Sequence, residues 1–236
     1  MKILVLIPAY NEAARIAVVI EGIRRVVPDY DILVVNDGSI DTTAIVAQSA
    51  GATVVSHPFN MGYGVAIQTG YKYALANGYK ILVQVDGDGQ HDPAFIPSLL
   101  QPVITGESDF AIGSRFLSES GYCPPLARRA GMAVFRKIVQ LVTGLRITDS
   151  TSGYQAFNRD VIRFFTGESF PCDYPDADML ITIHQAGFRI SEVPVRMYAN
   201  AEGKSMHGGL KPLYYIFKMF LSIFVTLLRK KERVRR

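Results

Sequence analysis

Ile81-Leu82-Val83-Gln84-Val85-Asp86-Gly87-Asp88-Gly89-Gln90 is the stretch on which the fold turns. A largely apolar, β-favouring run that closes in two carboxylates reads as a buried strand delivering acids to its carboxyl end. In open α/β sheets, ligands sit at that end. Asp86 and Asp88 stand two apart with glycine between them, so both carboxylates can turn to one point beyond the strand. Gln90 adds a neutral oxygen. This all-oxygen set suits Mg²⁺ or Mn²⁺, which usually fill their remaining positions with water and substrate phosphates. A competing reading makes the acids caps of the following helix. Asp92-Pro93 already supplies an N-cap residue and a first-turn proline, so Asp86 and Asp88 are left for a metal–phosphate site.

Working outward, strands are expected at 2–7, 31–36, 53–56, 80–86 and 108–113, with helices at about 12–27, 42–50, 65–77 and 93–103 between and after them. Such alternation predicts an α/β fold of parallel βαβ units with right-handed crossovers. Beyond residue 114 the pattern changes to a helix over 128–145, a polar glycine-containing loop over 149–158, a helix over 176–186 and a strand over 188–197. A continuous apolar helix over 210–228 follows. No linker divides the chain, and 236 residues suffice for one large core.

A hydrophobic fraction of 49% excludes disorder. Cys123 and Cys172 lack metal-type spacing and fit free thiols in a reducing compartment. The six-residue apolar run before Pro8 is too short for a signal peptide and reads as the first strand. The net charge of +4 is local. Residues 229–236 (RKKERVRR) hold six basic residues and one acid, and without them the balance is 19 basic to 20 acidic. Such a tail suits an anionic surface, and the apolar helix before it favours membrane over nucleic acid.

Three expected strand ends carry polar groups and should converge on one crevice: Pro8-Ala9-Tyr10-Asn11-Glu12, Asn36-Asp37-Gly38-Ser39 and the acids above. Asp37 before Gly38 offers a carboxylate that can accept an N–H from a nucleobase, although the same four residues also make an ordinary turn. Asn60-Met61-Gly62-Tyr63-Gly64 allows close backbone approach to a phosphate at a helix start, without a Walker or Rossmann spacing. The four histidines form no ligand cluster; His91, near the acids, reads either as a contact for the metal or diphosphate or, the commoner case, as a helix-start residue exposed to water. His207 falls in a glycine-rich loop of the kind that closes over a bound nucleotide-sugar.

The ordered set PAYNE, NDGS, NMGYG, DGDGQ and GSRF over residues 8–116 resembles the family-two inverting glycosyltransferases of GT-A fold. Arg128-Arg129-Ala130-Gly131 and the run from Gly144 to Phe157 (GLRITDSTSGYQAF) look like the polyprenyl-phosphate branch that includes dolichol-phosphate mannose synthases. The resemblance covers about residues 3–200. It implies that Pro8, Tyr10, Glu12 and Asp37 hold the base and ribose, and that Asp86, Asp88 and Gln90 hold the metal, Asp86 also facing the nucleotide. It gives Arg115, Arg128 and Arg129 to the acceptor phosphate, which the planar guanidinium fork suits. In Tyr174-Pro175-Asp176-Ala177-Asp178, proline replaces the glutamate of the usual Glu-Asp pair. Asp176 aligns with the base of sugar-to-hydroxyl relatives and Asp178 with an acid of the mannose-synthase branch; Asp149 is a third candidate. A phosphate acceptor is already anionic and needs no strong base.

Residues 213–228 hold one charge in sixteen, and a helix of that length spans roughly 24 Å against a hydrocarbon core of ~30 Å. Lys211, Lys218, Ser222, Thr226 and Arg229 make one narrow polar stripe along it. Residues 1–205 are therefore expected to form the catalytic domain and 206–236 a membrane-interface or partner-docking helix with a basic tail. The expected activity is metal-dependent transfer of a sugar from a nucleotide diphosphate, with uridine the favoured base, to a polyprenyl phosphate. The site of action would be the cytoplasmic face of the plasma membrane. Alternatives are transfer to a hydroxyl of a lipid-linked glycan in cell-wall or capsular synthesis, and a nucleotide-sugar-binding protein without turnover. An anionic membrane surface, a small membrane-protein partner or a second copy of the chain are the expected contacts, and nucleic acid is not.

Overall fold

The computed structural model describes residues 1–117, 126–167, 170, 177–198 and 211–228, with the side chains of 126–130, 211–217 and 219 outside the description. Its strands are β1 (Ile3–Ala9), β2 (Asp31–Asn36), β3 (Thr53–Ser56), β4 (Ile81–Gln84), β5 (Phe110–Ser114), β6 (Gln155–Asn158) and β7 (Ile190–Pro194). The helices are α1 (Ile16–Val26), α2 (Thr43–Ser49), α3 (Tyr63–Ala76), α4 (Ile96–Ile104), α5 (Leu126–Thr143), α6 (Arg159–Phe165), α7 (Ala177–Gln185) and α8 (Lys211–Leu228). All seven strands join one sheet in the order β3-β2-β1-β4-β6-β5-β7.

Every strand pair is parallel except those of β6, which runs against both β4 and β5. The mainly parallel α/β sheet expected from the sequence is thus present. Sheets of this kind are covered on both faces, which explains why β1 is apolar at every position and wholly buried. Alternate side chains point to opposite faces. Leu4, Leu6, Leu33 and Leu82 pack against Ile67 and Tyr71 of α3, Phe135 of α5, Phe165 of α6 and Leu180 of α7. On the other face Ile3, Val5, Ile7 and Val34 meet Ile16 and Ile20 of α1, Ala47 of α2 and Leu99 of α4.

Residues 149–158, expected to be a loop, are a loop only to 154. Gln155–Asn158 is a buried strand that pairs Gln155 with Gln84 and Phe157 with Leu82. Four residues carrying two amides show no apolar alternation, and inside the sheet Gln155 is only half provided for: its Nε2 donates to the Ser152 carbonyl at 2.7 Å, while its buried Oε1 has no hydrogen-bond partner among the described residues. The strand expected over 188–197 is shorter, and the one expected over 80–86 closes at Gln84, which releases Asp86 from the ladder. Asp92 caps as expected, accepting the Ala94 N–H at 3.0 Å at the start of a 3₁₀ turn that leads into α4.

Helix α3 approaches β1 so closely that a Cβ on Gly70 would lie 2.3 Å from Leu6 Cδ1. Leu6 is fully buried and has nowhere to move. Overpacking of this kind typically costs about 1–3 kcal/mol, against ~0.5–1 kcal/mol that alanine adds to a helix interior. Gly70→Ala should therefore lower the midpoint of urea unfolding with an unchanged m value, and a raised midpoint would show that the two layers have slack.

Candidate active site

The ends of β1 and β2 are laced together. Asn11 adopts a left-handed φ of 55°, a conformation that asparagine tolerates through local side-chain bonding. Its N–H donates to Ser39 Oγ at 2.9 Å, and its Oδ1 accepts the Ile40 N–H at 3.0 Å. The Glu12 N–H donates to Thr43 Oγ1 at 2.8 Å. Pro8 is buried at the end of β1, while Tyr10 stands exposed at the crevice lip. The Glu12 carboxylate pairs with Arg15 at 3.0 Å, yet burial raises its pKa above the usual carboxylate value, with the charge of Asp88 pushing the same way.

Asp37 is buried and already engaged. Its Oδ1 accepts the Met61 N–H at 2.9 Å and lies 2.7 Å from His57 Nδ1, and its Oδ2 accepts the Gly62 N–H at 2.8 Å. His57 Nε2 reaches Thr69 Oγ1 at 2.9 Å. The carboxylate read as a base acceptor thus fixes the NMGYG turn in front of α3. Gly38 makes this possible: at a φ of +67°, a Cβ would lie 2.2 Å from the Phe59 carbonyl carbon.

At the end of β4 a directed chain of hydrogen bonds starts in the core. The Tyr71 hydroxyl donates to Gln84 Oε1 at 2.8 Å, Gln84 Nε2 donates to the Tyr63 hydroxyl at 2.9 Å, and Tyr63 donates to Asp86 Oδ1 at 3.0 Å. The Asp86 N–H donates to His91 Nδ1 at 3.0 Å, which leaves the imidazole proton on Nε2, 3.6 Å from Asp86 Oδ2. His91 is not the exposed helix-start residue expected. It is buried and stacked on Tyr154 with centroids 4.7 Å apart, and burial depresses its pKa to about 4, so it is neutral near pH 7.

Asp88 accepts the Gln90 N–H at 3.0 Å through Oδ1 and the Gln90 side-chain amide through Oδ2. Burial raises the pKa of Asp86 and of Asp88, and for Asp88 the charge of Asp86 adds to the effect. Two crowded carboxylates and an amide are a donor set that a hard divalent cation would relieve. Among the described residues no group of three or more His, Cys, Asp or Glu side chains gathers at one point, so an ion here would draw further ligands from substrate or water. The turn is clamped from outside: the Tyr198 N–H donates to the Gln90 carbonyl at 2.7 Å, and the Tyr198 hydroxyl to Asp92 Oδ2 at 2.8 Å.

Arg115, just past the end of β5, brings a buried cation to the site. Its Nε donates to Asp149 Oδ2 at 2.6 Å and its Nη2 to Asp149 Oδ1 at 2.7 Å, with Thr151 Oγ1 at 3.1 Å. The pair is almost sealed, with side chains 6% and 0% exposed. Asp149 is fixed in turn by Glu192 of β7, whose carboxylate accepts the N–H groups of Thr148 and Asp149 and the Thr148 hydroxyl at 2.7–3.0 Å. The loop over 149–154 lies against the acids, since a Cβ on Gly153 would stand 2.9 Å from Asp86 Oδ2. The charge of Arg115 is felt at Asp86, where it favours the ionised carboxylate.

The structure thus gathers Glu12, Asp86, Asp88, Gln90 and Arg115 around one crevice. It turns Asp178 elsewhere: that side chain is buried, accepts the Met179 N–H at 2.8 Å and bonds the Ser222 hydroxyl of α8. Asp176, Cys123, Cys172, His207 and the side chains of Arg128 and Arg129 lie outside the described residues. Tyr63, Gln84 and Glu192 were missed from sequence. Gln84 left a signal, as the one amide in an otherwise apolar strand.

A doubly covered α/β sheet with paired acids at its switch point and a buried arginine beside them is the architecture of a GT-A glycosyltransferase. The family model described as Glycosyl transferase family 2 matches residues 4–165, and the chain belongs to that family. It is 32% identical to an undecaprenyl-phosphate mannosyltransferase of Micrococcus luteus, over 89% of each chain. It is also 29% identical to a UDP-N-acetylglucosamine–dolichyl-phosphate N-acetylglucosaminyltransferase of Methanococcus voltae, over 92% of this chain and 95% of that one. Among solved structures, the Mycobacterium tuberculosis glucosyl-3-phosphoglycerate synthase in complex with Mn²⁺, UDP and glucosyl-3-phosphoglycerate superposes with a TM-score of 0.71 at 23% identity. That match covers 99% of this chain and 81% of the other and speaks for the fold.

Breaking the buried pair should be costly. Removing one partner of such a pair commonly costs about 3–5 kcal/mol, whereas an exposed pair such as Arg163–Asp160 contributes less than ~1 kcal/mol. Asp149→Ala should lower unfolding stability by the larger amount and Asp160→Ala by the smaller, measured by urea denaturation. Similar losses for both would mean that Arg115 finds another partner.

Proposed function

We propose that this glycosyltransferase moves a sugar from a nucleoside diphosphate, with uridine as the base, to a polyprenyl phosphate at the cytoplasmic face of a membrane. The observation that carries the choice of acceptor is the state of Asp149 and Asp178, the two candidate bases among the described residues. Asp149 is spent on Arg115 and Asp178 on α8, so neither presents a carboxylate to an acceptor hydroxyl. A phosphate acceptor needs no such group, because it arrives as an anion. The lipid phosphates in the names of the two relatives support the same reading.

In this mechanism Tyr10, Pro8 and Glu12 border the nucleoside, and Asp37 acts there by holding the turn over 60–62. Asp86, Asp88 and Gln90 would hold Mg²⁺ or Mn²⁺, which would supply positive charge against the leaving diphosphate. Arg128 and Arg129 from α5 hold the lipid phosphate in line with the anomeric carbon, so that attack inverts the centre, and Arg115, its fork taken up by Asp149, adds its positive charge to the site. Asp149 and Glu192 keep the Arg115 fork in place before substrate arrives, and no reorganisation is needed at the moment of reaction.

Asp88→Ala should leave the melting temperature within a few degrees of wild type and cut sugar transfer on the order of 10²–10³-fold, the scale of losing one electrostatic stabiliser. Near-normal turnover of the folded variant in saturating Mn²⁺ would sink the metal assignment.

The acceptor is tested by comparing Arg128→Ala, Arg129→Ala and Asp176→Asn on two acceptors, a polyprenyl phosphate and a lipid-linked sugar. With a phosphate acceptor the arginine variants should lose most activity and Asp176→Asn little. If Asp176→Asn loses the ~10²–10⁴-fold typical of a general base while the arginine variants stay active, the acceptor is a hydroxyl.

A further inference from the structure

Helix α8 is turned inside out. Between residues 220 and 228 the two polar side chains face the protein: Ser222 bonds Asp178 of α7, and Thr226 is 7% exposed. Ile223, 4% exposed, joins the core between them, and the Phe220 ring leans on Phe135 of α5 at 5.7 Å. The remaining arc carries Phe220, Leu221, Phe224, Val225, Leu227 and Leu228, all exposed, with Phe224 at 59% and Leu228 at 71%. At 100° per residue these six fill one continuous side of the helix, and no polar side chain interrupts it. A helix that packs on a domain ordinarily buries its apolar stripe and shows its polar one to water. Here Ser222 and Thr226, two members of the polar stripe read from the sequence, lie on the inner seam. Leu141 and Val134 on the adjoining α5 are exposed as well.

We propose that this outer face of α8 is a docking surface for a bilayer containing anionic lipid, lying in the interface without crossing it. No helix among the described residues is long and apolar enough to cross a membrane. A contiguous apolar face of this kind marks a membrane or protein contact, and charge decides between them. The chain runs from Leu228 straight into 229–236, six basic residues and one acid, while the rest of the sequence is balanced. An anionic headgroup layer satisfies both the apolar arc and the run that follows it. A second copy seated on the same face would cover the apolar arc but offer the basic runs no excess of acidic groups, since the rest of the sequence is balanced. The inward Ser222–Asp178 bond fixes the rotation of α8, and with it which side chains meet lipid. A bilayer site extends the lipid-acceptor reading, and vesicle binding measured without donor or acceptor keeps the two separable.

The test is flotation of the full chain with vesicles of phosphatidylcholine alone and of phosphatidylcholine mixed with phosphatidylglycerol. Binding should favour the mixed vesicles by at least about tenfold and weaken as salt is raised. The triple variant Leu221→Glu, Phe224→Glu, Leu228→Glu alters only exposed positions, so it should melt like wild type yet stay off the vesicles. Equal binding to both vesicles, binding that survives the triple substitution, or no binding at all would overturn the proposal. So would a dimer in light scattering that the triple substitution dissolves, since a second copy would then be the occupant. Transfer to a short, water-soluble polyprenyl phosphate should be the same in wild type and triple variant. Vesicle binding by a wild type unable to use that acceptor would reject the acceptor reading and leave the bilayer site standing.

Discussion

The ion pair between Arg115 and Asp149 holds the two halves of the crevice together. Sealing two charges from water is expensive, and the interior returns that energy only where geometry is good and the remaining lone pairs are occupied. Both conditions are met. The guanidinium engages Asp149 through two nitrogens, and Glu192 secures the backbone that carries Asp149. One interaction therefore joins the end of β5, the loop after α5 and the strand β7. Because that loop also brings Gly153 against Asp86, any slack in the pair would be felt at the acids. Such networks are demanding: complete, they define a single arrangement, and broken, they strand a charge.

The acids are held by a different device. Asp86 leaves the sheet one residue beyond Val85 and would be free to swing, but it is held from two sides. Tyr63 reaches it at the end of a chain of donors rooted in Tyr71, and His91 takes its backbone N–H. The ring of His91 lies flat on Tyr154, and its neutrality means that its acceptor nitrogen is kept near pH 7. Positioning is thereby set from the core outward. A ligand arriving at Asp86 meets a carboxylate whose direction has already been chosen.

Much of this was legible in the chain. The β4 run and its terminal acids announce themselves because a strand buried on both faces must be continuously apolar, so that a carboxylate is conspicuous at its end. The lacing of Asn11 to Ser39 and Ile40 follows from two polar turns at the ends of neighbouring strands. What escaped was decided by partners distant in sequence. His91 looks like a helix-start residue until Tyr154 covers it. Gln155–Asn158 has too few residues and too many amides to show strand alternation, and only its neighbours β4 and β5 make it one. Asp178 read as a catalytic acid because family spacing put it near the base, whereas the packing of α8 on α7 gives it a hydroxyl to hold. The apolarity of α8 was plain, but its rotation is set by partners distant in sequence: Asp178 for Ser222, Phe135 for Phe220 and the core around Ile223.

The reversed strand β6 bears on the order in which the molecule can assemble. The ladders β3-β2-β1-β4 involve only the first part of the chain and need nothing that comes later. Strand β5 follows β4 directly in sequence but shares no ladder with it; its neighbours are β6 and β7. Within the sheet, β5 reaches the first half only through β6, which lies antiparallel between it and β4. Contacts that close such long stretches of chain are made slowly. During refolding the edge of β4 must wait unpaired, which is where one nascent chain is most open to capture by another. The side of the crevice built by β1, β2 and β4 can thus be in place while the arginine that faces it still has no strand to stand on.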